Sequence, residues 1–271
     1  MGRPVWFVKL IELIFPQRFW VARATRLPLL SGLAEHMLSE GDDLVYLPRA
    51  QEIPVNVALE RPEEVVLPSQ VVDEFIERAN YHWVMNFCIC REAEHCQDYA
   101  RDLGCLFLGE AVLKINPRLG RRVSKQEARE HVRRCREAGL VHLVGRNKLD
   151  VLWLGAGPRE KLLTICNCCP CCCLWRVLPD VAPGIGAKVQ RMPGVSVEVG
   201  DACTGCGACA DGVCFVDAIQ MKDGRAVIGD ACRGCGRCAA MCPAQAIQIT
   251  VDNPRAVEDT IERIAQGVDL S

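Results

Sequence analysis

Four cysteines, Cys203, Cys206, Cys209 and Cys214, are followed by four more, Cys232, Cys235, Cys238 and Cys242, with Pro243 directly after the last. The second run has the C-x2-C-x2-C-x3-C-P spacing that holds a cubane iron–sulfur cluster. Three thiolates at this spacing wrap around one cubane, and the fourth lies too far along the chain and reaches the other. Eight cysteines therefore imply two [4Fe–4S] centres and one-electron chemistry at low potential. A pair of four-cysteine zinc sites is the competing reading. Zinc motifs rarely use three cysteines spaced in this way, so iron–sulfur chemistry is favoured.

An internal repeat runs through the same segment. Asp201-Ala202-Cys203 returns as Asp230-Ala231-Cys232, and Ala218-Ile219-Gln220 returns as Ala246-Ile247-Gln248. The offset shortens by one because the first run has four residues before its last cysteine and the second has three. With these motifs the segment resembles a bacterial-type two-cluster ferredoxin. The resemblance implies that Cys203, Cys206, Cys209 and Cys242 hold one cluster, and that Cys232, Cys235, Cys238 and Cys214 hold the other. Phe215 departs from it, because a proline usually follows the last cysteine of each run. Glycines at 205, 207, 234 and 236 let the backbone pass close to the sulfides. Met221 to Ala226 reads as a hairpin turn between short strands.

Ten further cysteines form two unusual sets. Cys88, Cys90, Cys96 and Cys105 surround Arg91, His95 and Tyr99, and His95 is the only histidine among cysteines. Cys166, Cys168, Cys169, Cys171, Cys172 and Cys173 place six thiols in eight residues, which packing does not explain. Neighbouring side chains on an extended strand point to opposite faces, so all six cannot serve one small cluster in that geometry. From Cys88 to Ile249 the chain is similar to cysteine-rich segments that precede a ferredoxin module in uncharacterised iron–sulfur proteins of anaerobes. That likeness names no reaction, and the Cys-Cys-Gly signature of heterodisulfide-reductase-like sites is absent. A third [4Fe–4S] cluster is the leading expectation for these ten. A zinc staple and a redox-active thiol pair are the alternatives. Cys135 falls on an apolar helix face and reads as a core residue.

The elements that must position these thiols read as an α+β protein. A ferredoxin-like βαββαβ unit with pseudo-twofold symmetry would pack on a mixed, largely helical N-terminal domain. Four segments are expected. Residues 1–60 hold amphipathic helices and an extended stretch, 61–194 the cysteine-rich domain, 195–252 the two-cluster unit, and 253–271 a terminal helix. Val5 to Phe15 is nearly all apolar but too short to span a bilayer. With the stretch Arg18 to Leu30 it reads as helices buried against the protein's own core, the alternative being a peripheral membrane or partner contact. Prolines at 48, 54, 62 and 68 mark extended segments and turns. Ser69 reads as a helix cap before the face Val71, Val72, Phe75, Ile76 and Ala79. Ser124 and Glu127 form a capping box for a helix that ends at Gly139. Gly155-Ala156-Gly157-Pro158 reads as a turn. A terminal helix carries the stripe Val257, Ile261, Ile264 and Val268.

Net charge is −2, which gives no general attraction to nucleic acid or an anionic surface. Nineteen cysteines in 271 residues exceed the size of a disulfide scaffold, and no secretory signal is evident. The compartment expected is a reducing, low-oxygen cytoplasm, with membrane association through residues 5–30 as an added option. The function expected is low-potential electron transfer to or from a redox partner protein. A reductase with an open, substrate-binding cluster at Cys166–Cys173 is the first alternative. The second is an iron–sulfur regulator that binds DNA through residues 124–144.

Overall fold

The computed structural model describes residues 2–49, 53–54 and 65–271. Three helices open the chain: α1 (Val5–Ile14), α2 (Arg18–Ala24) and α3 (Ser31–Ser39). Strands β1 (Asp43–Tyr46), β2 (Ile53–Pro54) and β3 (Val65–Val66) precede α4 (Ser69–Arg78), β4 (His82–Met85), α5 (Ile89–Ala93) and β5 (Leu106–Leu108). Then come β6 (Gly120–Val123), α6 (Lys125–Glu137), β7 (Val141–Arg146), α7 (Lys148–Leu154), β8 (Leu163–Cys168), α8 (Pro183–Gly186) and β9 (Val189–Arg191). The C-terminal part holds β10 (Val195–Val199), β11 (Ile219–Lys222), β12 (Arg225–Ile228), α9 (Arg237–Met241), β13 (Ile247–Val251) and α10 (Ala256–Ala265). Part of the extended reading for residues 41–68 lies outside the described residues.

The class is α+β, and the N-terminal part is built on a sheet. Seven strands run in the order β6-β4-β5-β8-β7-β1-β9. Every neighbouring pair is antiparallel except β1 with β9. Segment 1–60 thus contributes β1 to the interior of the sheet that segment 61–194 forms. The two-residue period sorts side chains between two covered faces. Val45, Val84, Leu106, Leu108, Val144 and Ile165 face α4, α6 and α10. The other face carries Tyr46, Leu143 and Cys168 over one part and Trp83, Met85 and Phe107 over another.

Helical periodicity explains the covering layer. Val71, Val72, Phe75 and Ile76 of α4 are fully buried, each contributing ~1.5–3 kcal/mol relative to exposure. Ser69 is the first residue of α4 and makes no capping bond; Pro68 precedes it. The Ser124–Glu127 capping box is present. Helix α6 buries Ala128, Val132 and Cys135 and is followed by Gly139 at φ 80°. Strand β7 lies inside the sheet between β8 and β1. The apolar run Val151–Leu154 ends α7, and Gly155 terminates that helix in the left-handed region.

In the C-terminal unit β10 pairs with β13, and β11 with β12. Asp223 (φ 48°) and Gly224 (φ 74°) turn the β11–β12 hairpin, the conformation a two-residue type I′ turn needs. Only the second half of the repeat contains a helix, α9. The first half makes a turn at Gly207–Asp211 instead, and its longer Cys209–Cys214 spacing includes Gly212 at φ 65°. Helix α10 packs on α4 and β1, which fastens the unit to the sheet.

Helices α1 and α2 are only half absorbed by the core. Val8, Phe15, Arg18 and Ala22 are buried, whereas Trp6, Leu13 and Trp20 are 67%, 76% and 69% exposed. The expectation that these helices bury their apolar residues against the protein therefore holds for one face only. No helix among the described residues is long and apolar enough to cross a membrane.

Candidate metal centres

The two cysteine runs are held by closely equivalent backbone bonds. Cys203 and Cys232 each donate their N–H to a glycine carbonyl three residues back, at 3.2 and 3.0 Å. The Ala218 N–H donates to Cys214 Sγ at 3.2 Å and the Ala246 N–H to Cys242 Sγ at 3.3 Å. Asp217 (φ 52°) and Gln245 (φ 49°) occupy matching left-handed positions, as do Gly205 and Gly234. The sequence repeat is thus a structural pseudo-twofold. Amide hydrogens aimed at sulfur favour thiolate over thiol.

Each run contributes its last cysteine to the other run's group. Cys203, Cys206, Cys209 and Cys242 line one small cavity, together with Met221, Ala226 and Ile247. Around Cys238 the charged neighbours are Cys235, Cys232 and Cys214. Burial first, then these neighbouring thiolates, pushes Cys238 up to about 12 and Cys235 up to about 11. Burial raises Cys232, Cys235 and Cys238 alike, so ionising these three together calls for a cation among them. The donor set fits a bound metal cluster.

Of the eleven other cysteines, all but Cys135 gather around two adjoining centres. Strand β8 aims Cys166 and Cys168 at one face and Asn167 at the other, as alternation requires. The tight turn after β8 then carries Cys171 and Cys172 away from the cavity that Cys173 lines, with Cys169 adjoining both groups. Cys96, Cys169, Cys171 and Cys172 have their sulfurs within 4.8 Å of one another. Cys88, Cys90, Cys105, Cys166, Cys168 and Cys173, together with Cys169, line a cavity of about 350 Å³ roofed by Phe7, Ile11 and Phe15. Within it the Cys105 thiol donates to Cys166 at 3.9 Å. Cys166, Cys168, Cys173, Cys90 and Cys88 lie close enough for each to shift the ionisation of the next. The Cys90 thiol and, against burial, the Arg91 charge hold Cys88 down at about 7. Asp150 also lines this chamber, buried and accepting from Asn147, Thr164 and Trp153 at 2.8 Å each. Burial raises its pKa against those three donors.

Three residues that cysteine spacing does not reveal connect these centres. Tyr46 is fully buried, donates its hydroxyl to Cys168 Sγ at 3.6 Å and stacks on Phe215 with ring centroids 4.8 Å apart. Phe215, the departure from the ferredoxin pattern, is thus the contact between Cys214 and the six-thiol chamber. Arg237 is buried between Cys235 and Cys238 and donates to the carbonyls of Cys168 and Gly139. Arg91 is the largest fully buried side chain and donates to the carbonyls of Asn167 and Leu103. Buried arginines are a sequence-visible oddity only once the neighbouring strands are known. Cys135 packs with Leu103 and Leu140 as a core residue. Burial pushes it up to about 12. His95 is exposed and belongs to none of these groups.

A family model described as the LdpA Fe-S cluster-binding domain matches residues 210–252. The match takes in Cys214, Cys232, Cys235, Cys238 and Cys242. No curated protein and no solved structure matches the chain. Donor chemistry and family match agree: the chain is an iron–sulfur binding protein.

Proposed function

We propose that the chain transfers single electrons at low potential through two [4Fe–4S] clusters, in the manner of a two-cluster ferredoxin, and exchanges them with a redox partner protein. The crossing of the two runs supports this reading most directly: Cys242 joins Cys203, Cys206 and Cys209, while Cys214 joins the later three. When bound, such clusters supply one-electron chemistry within a range of roughly −700 to +450 mV. The chain's own part is to hold the thiolates and to direct the Ala218, Ala246 and Gly234 amides at them. Cys206 is exposed whereas Cys209 and Cys238 are buried, which leaves one edge open for a partner.

Iron, acid-labile sulfide and reducibility in anaerobically purified protein test this. A full complement of about eight irons and eight sulfides is expected for the eight C-terminal cysteines. Cys209→Ser should lose about four irons and leave one reducible cluster. Iron unchanged in that variant, or no reversible one-electron reduction, would sink the reading.

The six-thiol chamber favours a second reading, a reductase. It joins a solvent-reachable cavity to Cys214 through Tyr46 and Phe215. About twelve irons, with loss of four in Cys168→Ser, would support a third cluster there. The exposed face of α1 and α2, with Trp6, Leu13, Trp20 and the basic Lys9, Arg23 and Arg26, we read as a peripheral contact with an anionic membrane surface.

A further inference from the structure

We infer that Cys96, Cys169, Cys171 and Cys172 hold one zinc ion in a tetrahedral four-thiolate site, separate from every iron–sulfur cluster. The spacing of the sulfurs decides it. A zinc–sulfur bond of about 2.3 Å places tetrahedral ligand sulfurs about 3.8 Å apart. Cys96 lies 3.6 Å from Cys171, Cys171 lies 3.5 Å from Cys172, and all four sulfurs fall within 4.8 Å. A cubane instead binds its thiolates at four separate corners and holds them outside the cube. Among the described residues no group drawn from the eight C-terminal cysteines is this tight.

The surroundings suit a closed structural ion. Cys96, Cys169 and Cys172 are buried, and Leu103, Cys135 and Leu140 close the apolar side. The Cys172 N–H donates to Cys169 Sγ at 3.4 Å, an outer bond of the kind that orients thiolate ligands. Charge provides an independent argument. Arg91 cannot lose its proton and is wholly buried; two of its nitrogens donate to backbone carbonyls and its Nε has no hydrogen-bond partner. The thiols that bear on its charge are those of Cys88, then Cys169 and Cys105, of which Cys169 belongs to the quartet. A buried cation needs an anion nearby; Cys88 supplies one on the chamber side, and a dianionic zinc tetrathiolate reaching Arg91 through Cys169 adds a second. On the solvent side Arg176 donates to the Cys171 carbonyl at 2.6 Å. The ion ties the loop after α5 to the turn after β8, elements that no strand pairing joins directly.

The test is zinc and iron content of the full chain, purified anaerobically. Wild type should carry about one zinc per chain, falling to about a tenth or less in Cys96→Ser/Cys171→Ser with iron unchanged. Cys171→His should keep its zinc, because three cysteines and a histidine form an ordinary zinc donor set. Cys209→Ser should lose iron and keep zinc, so failure of this site and failure of the electron-transfer reading give different results. If the double variant does not fold, exchange of wild-type zinc for cobalt takes its place. The intense visible bands of a tetrahedral cobalt tetrathiolate are then expected. Wild type without zinc, zinc that persists in the double variant, iron lost together with zinc, or octahedral cobalt bands would each overturn the assignment.

Discussion

Phe215 shows how one residue changes the meaning of a motif. A proline at this position would only shape the local turn, whereas the phenylalanine ring reaches Tyr46 on β1 and fills the space beside Cys168. Phe215→Ala removes that ring from a site where it is almost wholly buried. It should lower stability by about 3–5 kcal/mol, read from the denaturant midpoint of the iron-loaded protein. Iron content should stay at the wild-type value, because the ring is no ligand. The departure itself was visible in the sequence. Its purpose was not, because its partner lies far upstream and is brought near only by the sheet. Arg91 and Arg237 were hidden for the same reason, since nothing in a linear chain distinguishes a buried arginine from a solvated one.

At the scale of elements, legibility followed periodicity. Helices α4, α6 and α10 carry an apolar stripe against a polar face, and that contrast placed them correctly. Strands β4 and β5 are buried along their whole length, so they lack the alternation that marks a half-exposed strand. The seven-stranded sheet therefore could not be assembled from sequence. The division of the ten extra cysteines was equally hidden, because it depends on where β8 ends and its turn begins. Helices α1 and α2 offered two readings, and the structure leaves their outer face uncovered. Leu13→Glu/Trp20→Glu should fold and keep its iron while losing sedimentation with vesicles that contain phosphatidylserine. Equal sedimentation of variant and wild type would remove the membrane from the reading. The substitutions sit on exposed positions, where stability changes are usually small, about 0.5 kcal/mol or less.

Across the whole molecule, burial of charge links pH to stability. Asp42 sits at the start of β1 and accepts the Lys148 N–H at 2.7 Å. Burial pushes its carboxyl up to about 7, against that bond. The folded state therefore holds a proton that the unfolded chain releases near 3.9. This group's contribution is fully present below pH ~4 and is lost as pH rises toward about 7, an effect of at most ~4 kcal/mol. Asp42→Asn should flatten that part of the stability profile, measured as the difference from wild type at pH 5 and pH 8. An unchanged difference across the range would show that Asp42 titrates normally.

Helix α9 is a single turn and a half long, yet it carries Cys238 within it and Cys242 at its end. Cys238 completes one quartet and Cys242 the other. During synthesis neither quartet exists until this short helix has left the ribosome, and both are then finished within a few residues. Under the proposed ligand sets, unwinding this one short helix would disturb both sites at once.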